Sequence, residues 1–355
     1  MRNLTIIALL ALGVAIVLAL FGKGAITGPL VVGGFVLLAI ALNLTANFKN
    51  LAFTFWVFAA VAASMYYPAY FTQWGSFNLK KLIIPLLMII MFGMGTAMSF
   101  KDFVGIVKMP KGVFVGLLCQ FTMMPLIGFS LVQIFSFPPE IAAGVILIGC
   151  SPSGLASNVM SFIAGANLAL SLTLTAVATL LAPLLTPALM SLLANQLVPI
   201  DFVDMMMDIL KIVIAPIVVG LIFNHFLHGK FEWLDKAMPK VSMVGIAVII
   251  AIITASGRDS LLSIGVLLIL AGILHNGIGY FLGYWGSKLF RLDEQSCRTI
   301  AFEVGMQNAG LASGIALEMG RVATMGLAPA VFGPWMNISG SVLAGWWREE
   351  EENDE

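Results

Sequence analysis

The sequence predicts an all-α polytopic membrane protein with about twelve transmembrane helices. Of its 355 residues, 60% are hydrophobic and only 10% are charged, and its mean hydropathy is +1.02. A soluble domain carries roughly 25% charged residues. Long uncharged runs recur along the whole chain, and a helix needs ~20 apolar residues to cross the hydrocarbon core. Because these runs are too long for barrel strands, helices are the structures that can satisfy the backbone in lipid.

Charged residues, prolines and glycines divide the chain into the predicted spans. The first six centre within 4–21, 28–46, 51–70, 80–99, 112–135 and 141–163. The last six centre within 168–194, 205–227, 239–256, 260–287, 297–318 and 322–347. After Arg348, residues 349–355 read EEEENDE, which predicts an acidic, solvated and frayed cytoplasmic tail.

The first span has two interpretations. Arg2 followed by the apolar stretch from Leu4 to Phe21 also fits a secretory signal peptide. The residues that follow lack a clean Ala-x-Ala cleavage site, which favours a retained span. Removal of this span would leave the orientation of the other spans unchanged.

Lysine and arginine positions predict the orientation, because cytoplasmic loops are enriched in these residues. With the amino terminus in the cytoplasm, twelve of the 18 basic residues fall on the inner side. The other six are Lys23, Lys80, Lys81, Lys211, Arg258 and Arg321. Both termini are therefore predicted to be cytoplasmic, in a cell (inner) membrane.

The remaining composition argues against several classes of protein. The formal net charge is zero, which gives no reason to expect a nucleic-acid partner. Cys119, Cys150 and Cys297 form neither a disulfide framework nor a metal-ligand spacing. The three histidines do not cluster in the sequence, and no nucleophile–base pair is recognisable. We therefore do not expect an enzyme.

Two stretches repeat the letters Gly-Leu-Ala-Ser inside apolar runs. Gly154 and Gly310 in these stretches are 310 − 154 = 156 residues apart. The same offset aligns spans with spans and loops with loops over the segments 51–195 and 207–347. Each segment holds five predicted spans, and because five is odd the second segment must enter the membrane from the opposite side. The sequence therefore predicts an inverted five-plus-five repeat, a construction found in many secondary transporters.

Both repeated stretches carry residues that interrupt helices. In the first stretch Pro152 lacks an amide hydrogen, and Gly154 adds backbone freedom. In the second, Gly305 and Gly310 flank a Gln-Asn pair. A broken helix exposes carbonyl groups that suit a small cation and amide groups that suit an anion. We therefore expect two crossed discontinuous helices that form a polar site near the bilayer midplane.

Glu303 precedes the second interruption and lies inside a predicted span. A charged side chain at the bilayer centre costs ~3 kcal/mol on insertion scales. Arg298, which could form an ion pair, lies more than a helical turn earlier in the chain. A bound sodium ion would offset the cost of burying the charge. The alternative is a protonated glutamate with a structural role.

Other polar residues inside spans leave alternatives open. Ser171 and Thr175 are four residues apart and share one helical face, where they could bind a hard cation or pack against another helix. Gln120 is a candidate cation ligand or an interhelical hydrogen-bond partner. The pair His275 and Asn276 is better explained by a structural role.

The residues from about 51 to 347 resemble the bile acid:sodium symporter family. The motifs that carry the resemblance are FGMGTAM (92–98), GCSPSGLASNVMSFIAGANLALS (149–171), LLTPALM (184–190), LHNGIGY (274–280), EVGMQNAGLA (303–312) and NISGS (337–341). The resemblance implies a ten-helix transporter unit over 49–348. Its moving core would be 112–194 and 260–347, and its panel 51–99 and 205–256. The two spans in 1–48 have no counterpart in this ten-span pattern.

The resemblance also implies two sodium sites and two co-transported sodium ions. The first site would consist of Ser157, Asn158, Ser171, Thr175 and Glu303. The second would consist of Gln120, Glu303, Gln307 and the backbone of Val304 and Met306. The substrate would lie near Leu155, Ala156, Asn308 and Asn337.

Three positions depart from the family pattern. Many relatives have glycine where this chain has Ser153 and histidine where it has Met336, and bacterial relatives can carry a hydroxyl residue where it has Leu155. We expect these positions to border the substrate region, so the sodium sites transfer from the family more safely than the substrate does. A small or amphipathic organic anion is therefore a broader expectation than a bile acid.

The predicted function is the import of such an anion by a monomeric sodium symporter through alternating access. Two sodium ions would neutralise Glu303 and complete an anion site at the amide ends of the half-helices. One alternative is a proton-coupled antiporter-like carrier on the same crossed-helix fold, which the positions of the aspartates in loops or at span ends disfavour. A second alternative is a non-transporting membrane receptor.

Overall fold

The computed structural model describes the backbone of residues 2–20, 24–45, 49–227 and 232–354. Lys23, His228 and Lys230, which entered the sequence predictions, lie outside these ranges. The regular structure of the described residues is helical, as the composition predicts, apart from one small hairpin. The hairpin consists of β1 (Gln73–Trp74) and β2 (Phe77–Asn78), which pair antiparallel.

The helices follow one another with short connections. The first seven are α1 (Arg2–Leu20), α2 (Gly24–Asn43), α3 (Lys49–Tyr66), α4 (Ala69–Thr72), α5 (Ile83–Ala97), α6 (Gly105–Lys108) and α7 (Pro110–Phe135). The next five are α8 (Pro139–Cys150), α9 (Leu155–Ile163), α10 (Leu168–Leu193), α11 (Phe202–Ile209) and α12 (Ala215–Leu227). The last five are α13 (Glu232–Ser256), α14 (Arg258–Leu289), α15 (Glu294–Gly305), α16 (Ala309–Glu318) and α17 (Leu327–Asp354). Shorter helical turns are the 3₁₀ segments Leu79–Leu82 and Phe100–Val104 and the π segment Leu210–Ile214, which joins α11 to α12.

Seven segments of the described chain are long and apolar enough to cross a membrane. They are Ile26–Asn43, Leu79–Ala97, Pro110–Phe135, Leu168–Leu193, Phe202–Phe226, Ala237–Ser256 and Arg258–Leu289. The all-α membrane class predicted from the sequence is thereby supported, while the count of about twelve crossings stays a prediction. Helices α8, α9, α15 and α16 are each too short to cross alone, because a helix rises only ~1.5 Å per residue.

The acidic carboxyl-terminal tail differs from the prediction. Helix α17 continues through this segment to Asp354, so the backbone of the tail is helical rather than frayed. Glutamate has a high helix propensity, and the run extends a helix that is already formed, so no new nucleation is needed.

The long helices pack in two groups. In the first group α3 and α5 contact α13, and α5 also packs along α12. In the second group α7 contacts α8, α10 and α14, and α14 contacts α15 and α17. Glycines let α5 and α12 approach backbone to backbone, because a Cβ on Gly95 would lie 2.2 Å from the carbonyl oxygen of Ile217. Each group is therefore a closely packed unit, and the functional region lies between them.

The two amino-terminal helices extend the first group. Helix α1 packs on α2, and α2 packs on α3. The ring of Phe35 in α2 lies 6.3 Å from that of Phe55 and 5.6 Å from that of Phe58, both in α3. This aromatic cluster attaches the pair to the outer side of α3.

Candidate functional site: a polar crossing beside a large cavity

The two interrupted helices expected from the sequence are present, and their interruptions contact each other. Residues 151–154 separate α8 from α9, and residues 306–308 separate α15 from α16. Ser153 and Gln307 form an isolated antiparallel β-bridge between the two interruptions. Two backbone hydrogen bonds flank the bridge, from Gly154 N to Met306 O at 3.1 Å and from Asn308 N to Pro152 O at 2.8 Å. Some backbone groups released by the broken helices therefore pair with each other.

Four hydroxyl groups surround the carboxylate of Glu303, which is only 2% exposed. Ser157 and Ser171 donate to Oε1 over 2.7 and 2.6 Å. Ser153 donates to Oε2 over 2.6 Å, and the hydroxyl of Thr175 lies 2.9 Å from the same oxygen. The hydroxyls come from α9, α10 and the first interruption, so the carboxylate of α15 joins three other parts of the chain.

With Asn158, this cluster has more oxygen–oxygen contacts than hydroxyl protons to fill them. Its Oδ1 lies 2.8 Å from Ser171 Oγ and 3.0 Å from Thr175 Oγ1. Both hydroxyls also lie within 2.9 Å of a Glu303 oxygen. A hydroxyl has one proton, so two protons serve four short oxygen–oxygen contacts. Contacts between lone pairs are unfavourable unless a cation shares them, and hard oxygen ligands suit a hard cation.

Glu303 has no basic partner among the residues that the structure describes. Among the described residues, the ion pairs do not include Glu303. The Nε atom of Arg298 lies 3.2 Å from Glu294, and its guanidinium group lies over the ring of Trp347 at 5.7 Å. Arg298 therefore acts elsewhere, as its distance along the chain predicts. A buried carboxylate without a cationic partner is unfavourable, and hydroxyl donors compensate only part of this cost.

The second predicted ligand set is also brought together, but its groups bind one another. Gln120 Nε2 donates to Ser151 O over 2.8 Å and to Gln307 Oε1 over 2.6 Å. The side-chain nitrogen Nε2 of Gln307 donates in turn to Val304 O. The carbonyl oxygen of Met306 accepts from the backbone of the other interruption. In this arrangement Gln120 is an interhelical hydrogen-bond donor, and its amide nitrogen bridges two oxygens that a cation could otherwise share.

A narrow gap lies between Gln120 and the Glu303 carboxylate. Gln120, Ser153 and Glu303 line it together with small and apolar residues of α7 and α10. The gap is too small to hold a water molecule, and Gln120 and Glu303 are the members of the second ligand set that line it. Glu303 thus faces both predicted ligand sets.

A cavity of about 770 Å³ lies against the interruptions, between the two helix groups. All four predicted substrate residues line it: Leu155, Ala156, Asn308 and Asn337. Asn158 and Thr175 of the first ligand set line it as well, so the cation cluster and the cavity share a wall. None of the described residues that line the cavity is charged.

Much of the cavity wall is apolar and rich in methionine. Eight methionines line it: Met91, Met94, Met98, Met160, Met238, Met243, Met306 and Met336. Sequence reasoning missed the polar residues that the first helix group contributes, namely Thr54, Thr96, Asn224 and Ser242. Polar side chains within apolar spans are the signal that could have identified Thr54 and Ser242. Methionine adapts to irregular shapes, so this wall suits ligands of varied outline.

The amino-terminal ends of α9 and α16 meet the cavity at the interruptions. Helix α9 starts at Leu155 and α16 starts at Ala309, and both residues line the cavity. Asn308 caps α16, because its Oδ1 accepts from Leu311 N over 3.0 Å. The backbone amides at such ends carry partial positive charge and favour an anion.

The structure corrects the expectation for Ser153. This residue does not line the cavity, whereas Leu155 and Met336 do. Ser153 lies in extended backbone at the β-bridge, where successive side chains point to opposite sides. Its hydroxyl therefore points to Glu303 rather than into the cavity.

Of the pair His275 and Asn276, Asn276 has the structural role that the sequence favours. Asn276 Nδ2 donates to Gly305 O over 2.9 Å and so satisfies a carbonyl group at the end of α15. Its Oδ1 accepts from Ser339 over 2.5 Å. His275 is fully buried, and neither ring nitrogen has a hydrogen-bond partner among the described residues.

The protein is a helical membrane protein in which a buried carboxylate lies among hydroxyls beside a large uncharged cavity. These features are those of a membrane carrier. The chain belongs to the Sodium Bile acid symporter family, whose profile it matches over residues 84–264. The resemblance seen in the motifs is thereby confirmed. Members of this family are sodium-dependent transporters rather than enzymes.

Full-length relatives agree with this assignment. The chain is 40% identical over 306 residues to the sodium-dependent transporter YocS of Bacillus subtilis (strain 168), covering 86% of this chain and 93% of the relative. It is 34% identical to the probable sodium/metabolite cotransporter BASS1, chloroplastic, of Arabidopsis thaliana, with 84% and 73% coverage. It is 33% identical to the ileal sodium/bile acid cotransporter of Homo sapiens, with 67% and 69% coverage.

Proposed function

We propose that the protein is a sodium-coupled symporter that imports a small or amphipathic organic anion by alternating access. The observation that carries the proposal is the excess of oxygen ligands over protons around Glu303, on a wall shared with the cavity. A sodium ion bound there would neutralise the carboxylate and change the charge seen by a ligand in the cavity. Cation and substrate would therefore favour each other's binding, which is the basis of coupled transport.

The first sodium site is formed by Ser157, Asn158, Ser171, Thr175 and Glu303. One carboxylate, one amide oxygen and three hydroxyl oxygens form a hard ligand set with a single negative charge. Such a set matches a monovalent cation, because one positive charge neutralises it. The close oxygen–oxygen contacts of the cluster support this assignment.

The second sodium site is formed by Gln120, Glu303, Gln307 and the backbone of Val304 and Met306. Its amide groups now bind one another, and rotation of the Gln120 amide would direct an oxygen toward the gap beside Glu303. Two cations on either side of one carboxylate would account for two sodium ions per transport cycle.

The substrate site is the cavity beside the interruptions. Leu155, Ala156, Asn308 and Asn337 lie where the helix ends meet it, so the anionic group of a substrate would bind there. Because no described lining residue is charged, backbone amides and amide side chains would recognise the anion. The methionine-rich remainder of the wall suits an apolar body, which favours amphipathic anions over small polar ones.

The architecture is a ten-helix unit with an inverted five-plus-five repeat, preceded by two helices in 1–48. Two features support the repeat. The bridged residues Ser153 and Gln307 are 307 − 153 = 154 residues apart, close to the offset of the repeated letters. The offset makes α12 the counterpart of α3 and α13 the counterpart of α5. Helix α3 packs on α13 and α5 packs on α12, so each helix contacts the counterpart of the other.

We assign the first helix group to a panel (51–99 and 205–256) and the second to a core (112–194 and 260–347), which would move against each other. The cavity lies between them and extends toward Met98, Asn224 and Met238, at one end of the bundle. With both termini in the cytoplasm of a cell (inner) membrane, this end faces inward. The structure would then represent an inward-facing state of a single-chain carrier.

The first test measures thermal stabilisation of the purified protein by sodium. We expect sodium to raise the melting temperature of the unaltered chain and Glu303→Gln to abolish this rise, because the substitution keeps the volume and removes the charge. Potassium chloride at equal ionic strength is the control for screening. Full sodium stabilisation of Glu303→Gln would contradict the proposed sites.

A proton-coupled carrier is the second candidate function, and Glu303 is again the residue that favours it. A buried carboxylate surrounded by hydroxyls could also carry a proton in place of a sodium ion. Uptake into proteoliposomes separates the two. A sodium gradient alone should drive accumulation of an organic anion, whereas uptake that follows a proton gradient without sodium would favour the proton-coupled carrier. Binding without uptake would favour a receptor.

A further inference from the structure

We propose that Ser153 is a further ligand of the second sodium ion. This inference rests on the proposed sodium coupling and adds one residue to the site. Ser153 is 1% exposed and donates to Glu303 Oε2 over 2.6 Å. It lines the narrow gap together with Gln120 and Glu303. Its hydroxyl therefore contacts one member of the second ligand set, Glu303, and Ser153 borders the same gap as another, Gln120.

Three of the four hydroxyls contact a single carboxylate oxygen, and that of Thr175 lies near both, 3.1 Å from Oε1 and 2.9 Å from Oε2. Oε1 accepts from Ser157 and Ser171, which belong to the first set. Oε2 accepts from Ser153 over the shortest of its contacts, and Thr175 approaches it from the first set. Ser153 is thus placed on the side of the carboxylate that faces the gap.

The backbone holds Ser153 beside the other ligands of the second site. Its β-bridge partner is Gln307, whose side chain is one of these ligands. The next residue, Gly154, donates to the carbonyl oxygen of Met306, whose backbone is another. The position of the hydroxyl is therefore set by the same contacts that order the crossing.

A serine hydroxyl can serve the carboxylate and the cation together. Its single proton donates to Glu303, and its lone pairs remain available to a metal ion. In the second set, Met306 O accepts one backbone hydrogen bond and Val304 O accepts one from Gln307, so each has one lone pair left, and the hydroxyl of Ser153 would add a further oxygen. Neutral oxygen ligands of this kind suit a hard monovalent cation.

Ser151 provides a matched control. It lies two residues earlier, on the other side of Pro152, and is fully buried like Ser153. Its hydroxyl donates to Leu147 O over 2.8 Å, within its own helix, and does not reach the gap. Loss of this hydroxyl removes a buried hydrogen bond and keeps the backbone carbonyl of Ser151, which accepts from Gln120 Nε2.

The experiment titrates sodium against the melting temperature of full-length Ser153→Ala, Ser153→Thr and Ser151→Ala. Loss of one neutral ligand should raise the half-saturating sodium concentration of Ser153→Ala about three- to tenfold. Ser153→Thr keeps the hydroxyl and should stay near the unaltered protein, as should Ser151→Ala. Each variant is also measured without sodium, which separates folding defects from ligand loss.

Lithium distinguishes a ligand from a residue that only orients Glu303. A ligand changes the size of the site, so Ser153→Ala should alter the ratio of half-saturating lithium and sodium concentrations. An equal shift for both ions, or no shift relative to Ser151→Ala, would overturn the inference. Absence of any sodium response in the unaltered protein would instead refute the proposed function as a whole.

Discussion

At the scale of single residues, hydroxyl positions distinguish ion binding from helix packing. Thr173 and Thr175 lie two residues apart on α10, and both are 1% exposed. The hydroxyl of Thr173 lies 2.7 Å from Asp102 O and 2.8 Å from Ala169 O, so it serves packing. That of Thr175 approaches Glu303 and Asn158 instead. One helix therefore places one hydroxyl in a packing contact and another beside the buried carboxylate.

These two threonines give a paired prediction. Thr175→Val keeps the side-chain shape and removes one proposed ligand, so the half-saturating sodium concentration should rise several-fold. Thr173→Val should lower the melting temperature in all buffers by a similar amount and leave the sodium titration midpoint unchanged. Sodium titration of both proteins by thermal unfolding checks this. Equal midpoint shifts in the two variants would argue against Thr175 as a ligand.

At the scale of elements, α16 closes one end of the region between the helix groups. Gly314 faces α5 so closely that a Cβ there would lie 2.2 Å from Leu87 Cδ2 and 3.3 Å from Ile212 Cδ1. Leu87 is fully buried, and Ile212 lies in the π segment between α11 and α12. Such π segments often mark functional positions in helices. In the proposed inward-facing state, this contact would be the outer seal.

The seal predicts a shift in conformation when Gly314 is enlarged. Gly314→Val should wedge α16 away from α5 and favour the outward-open state, since the added methyl groups have no space. The reporter is Ala156→Cys in the cavity wall, labelled in proteoliposomes by a membrane-impermeant maleimide from the outer side. Labelling should accelerate in the double variant.

Gly277→Val on the same reporter is the control for this experiment. A Cβ on Gly277 would meet nothing within 4 Å, so the added bulk should leave the conformation unchanged. Labelling rates that match for the two double variants would show that the contact at Gly314 does not govern access.

At the scale of the whole molecule, the proposed stoichiometry sets the charge that crosses the membrane. Two sodium ions with one monovalent anion move one net positive charge inward. A potential of 100 mV, negative inside, would then add ~2.3 kcal/mol of driving force per cycle. The cavity needs no cationic side chain in this scheme, because the bound cations supply the positive charge that the described wall lacks.

Electrogenic uptake is the corresponding prediction. With equal sodium gradients, an inside-negative potential imposed on proteoliposomes by potassium and valinomycin should increase the initial rate of uptake of a monovalent organic anion. The same potential should not affect Glu303→Gln, in which the ions cannot bind. Uptake that ignores the potential would indicate that only one sodium ion accompanies each monoanion.

The sequence by itself determined the all-α membrane class, the approximate helix positions, both interruptions and the place of Glu303 as a carboxylate inside a membrane helix. Each of these depends on residues close together in the chain: apolar run length, a proline beside a glycine, or a carboxylate without a basic neighbour within a turn. The motif resemblance added the two ligand sets, whose members the structure brings together. The spacing of nearby residues in the sequence therefore predicts the architecture well.

The tertiary structure alone decided which polar groups meet. Ser153 reaches Glu303 across 150 residues of chain, and Gln120 reaches Gln307 across 187. Thr96 and Asn224 join the cavity wall only because α5 and α12 pack together. Such contacts depend on how helices cross rather than on the period of any one helix. A sequence pattern therefore identifies the residues able to bind ions but does not specify which of them share one site.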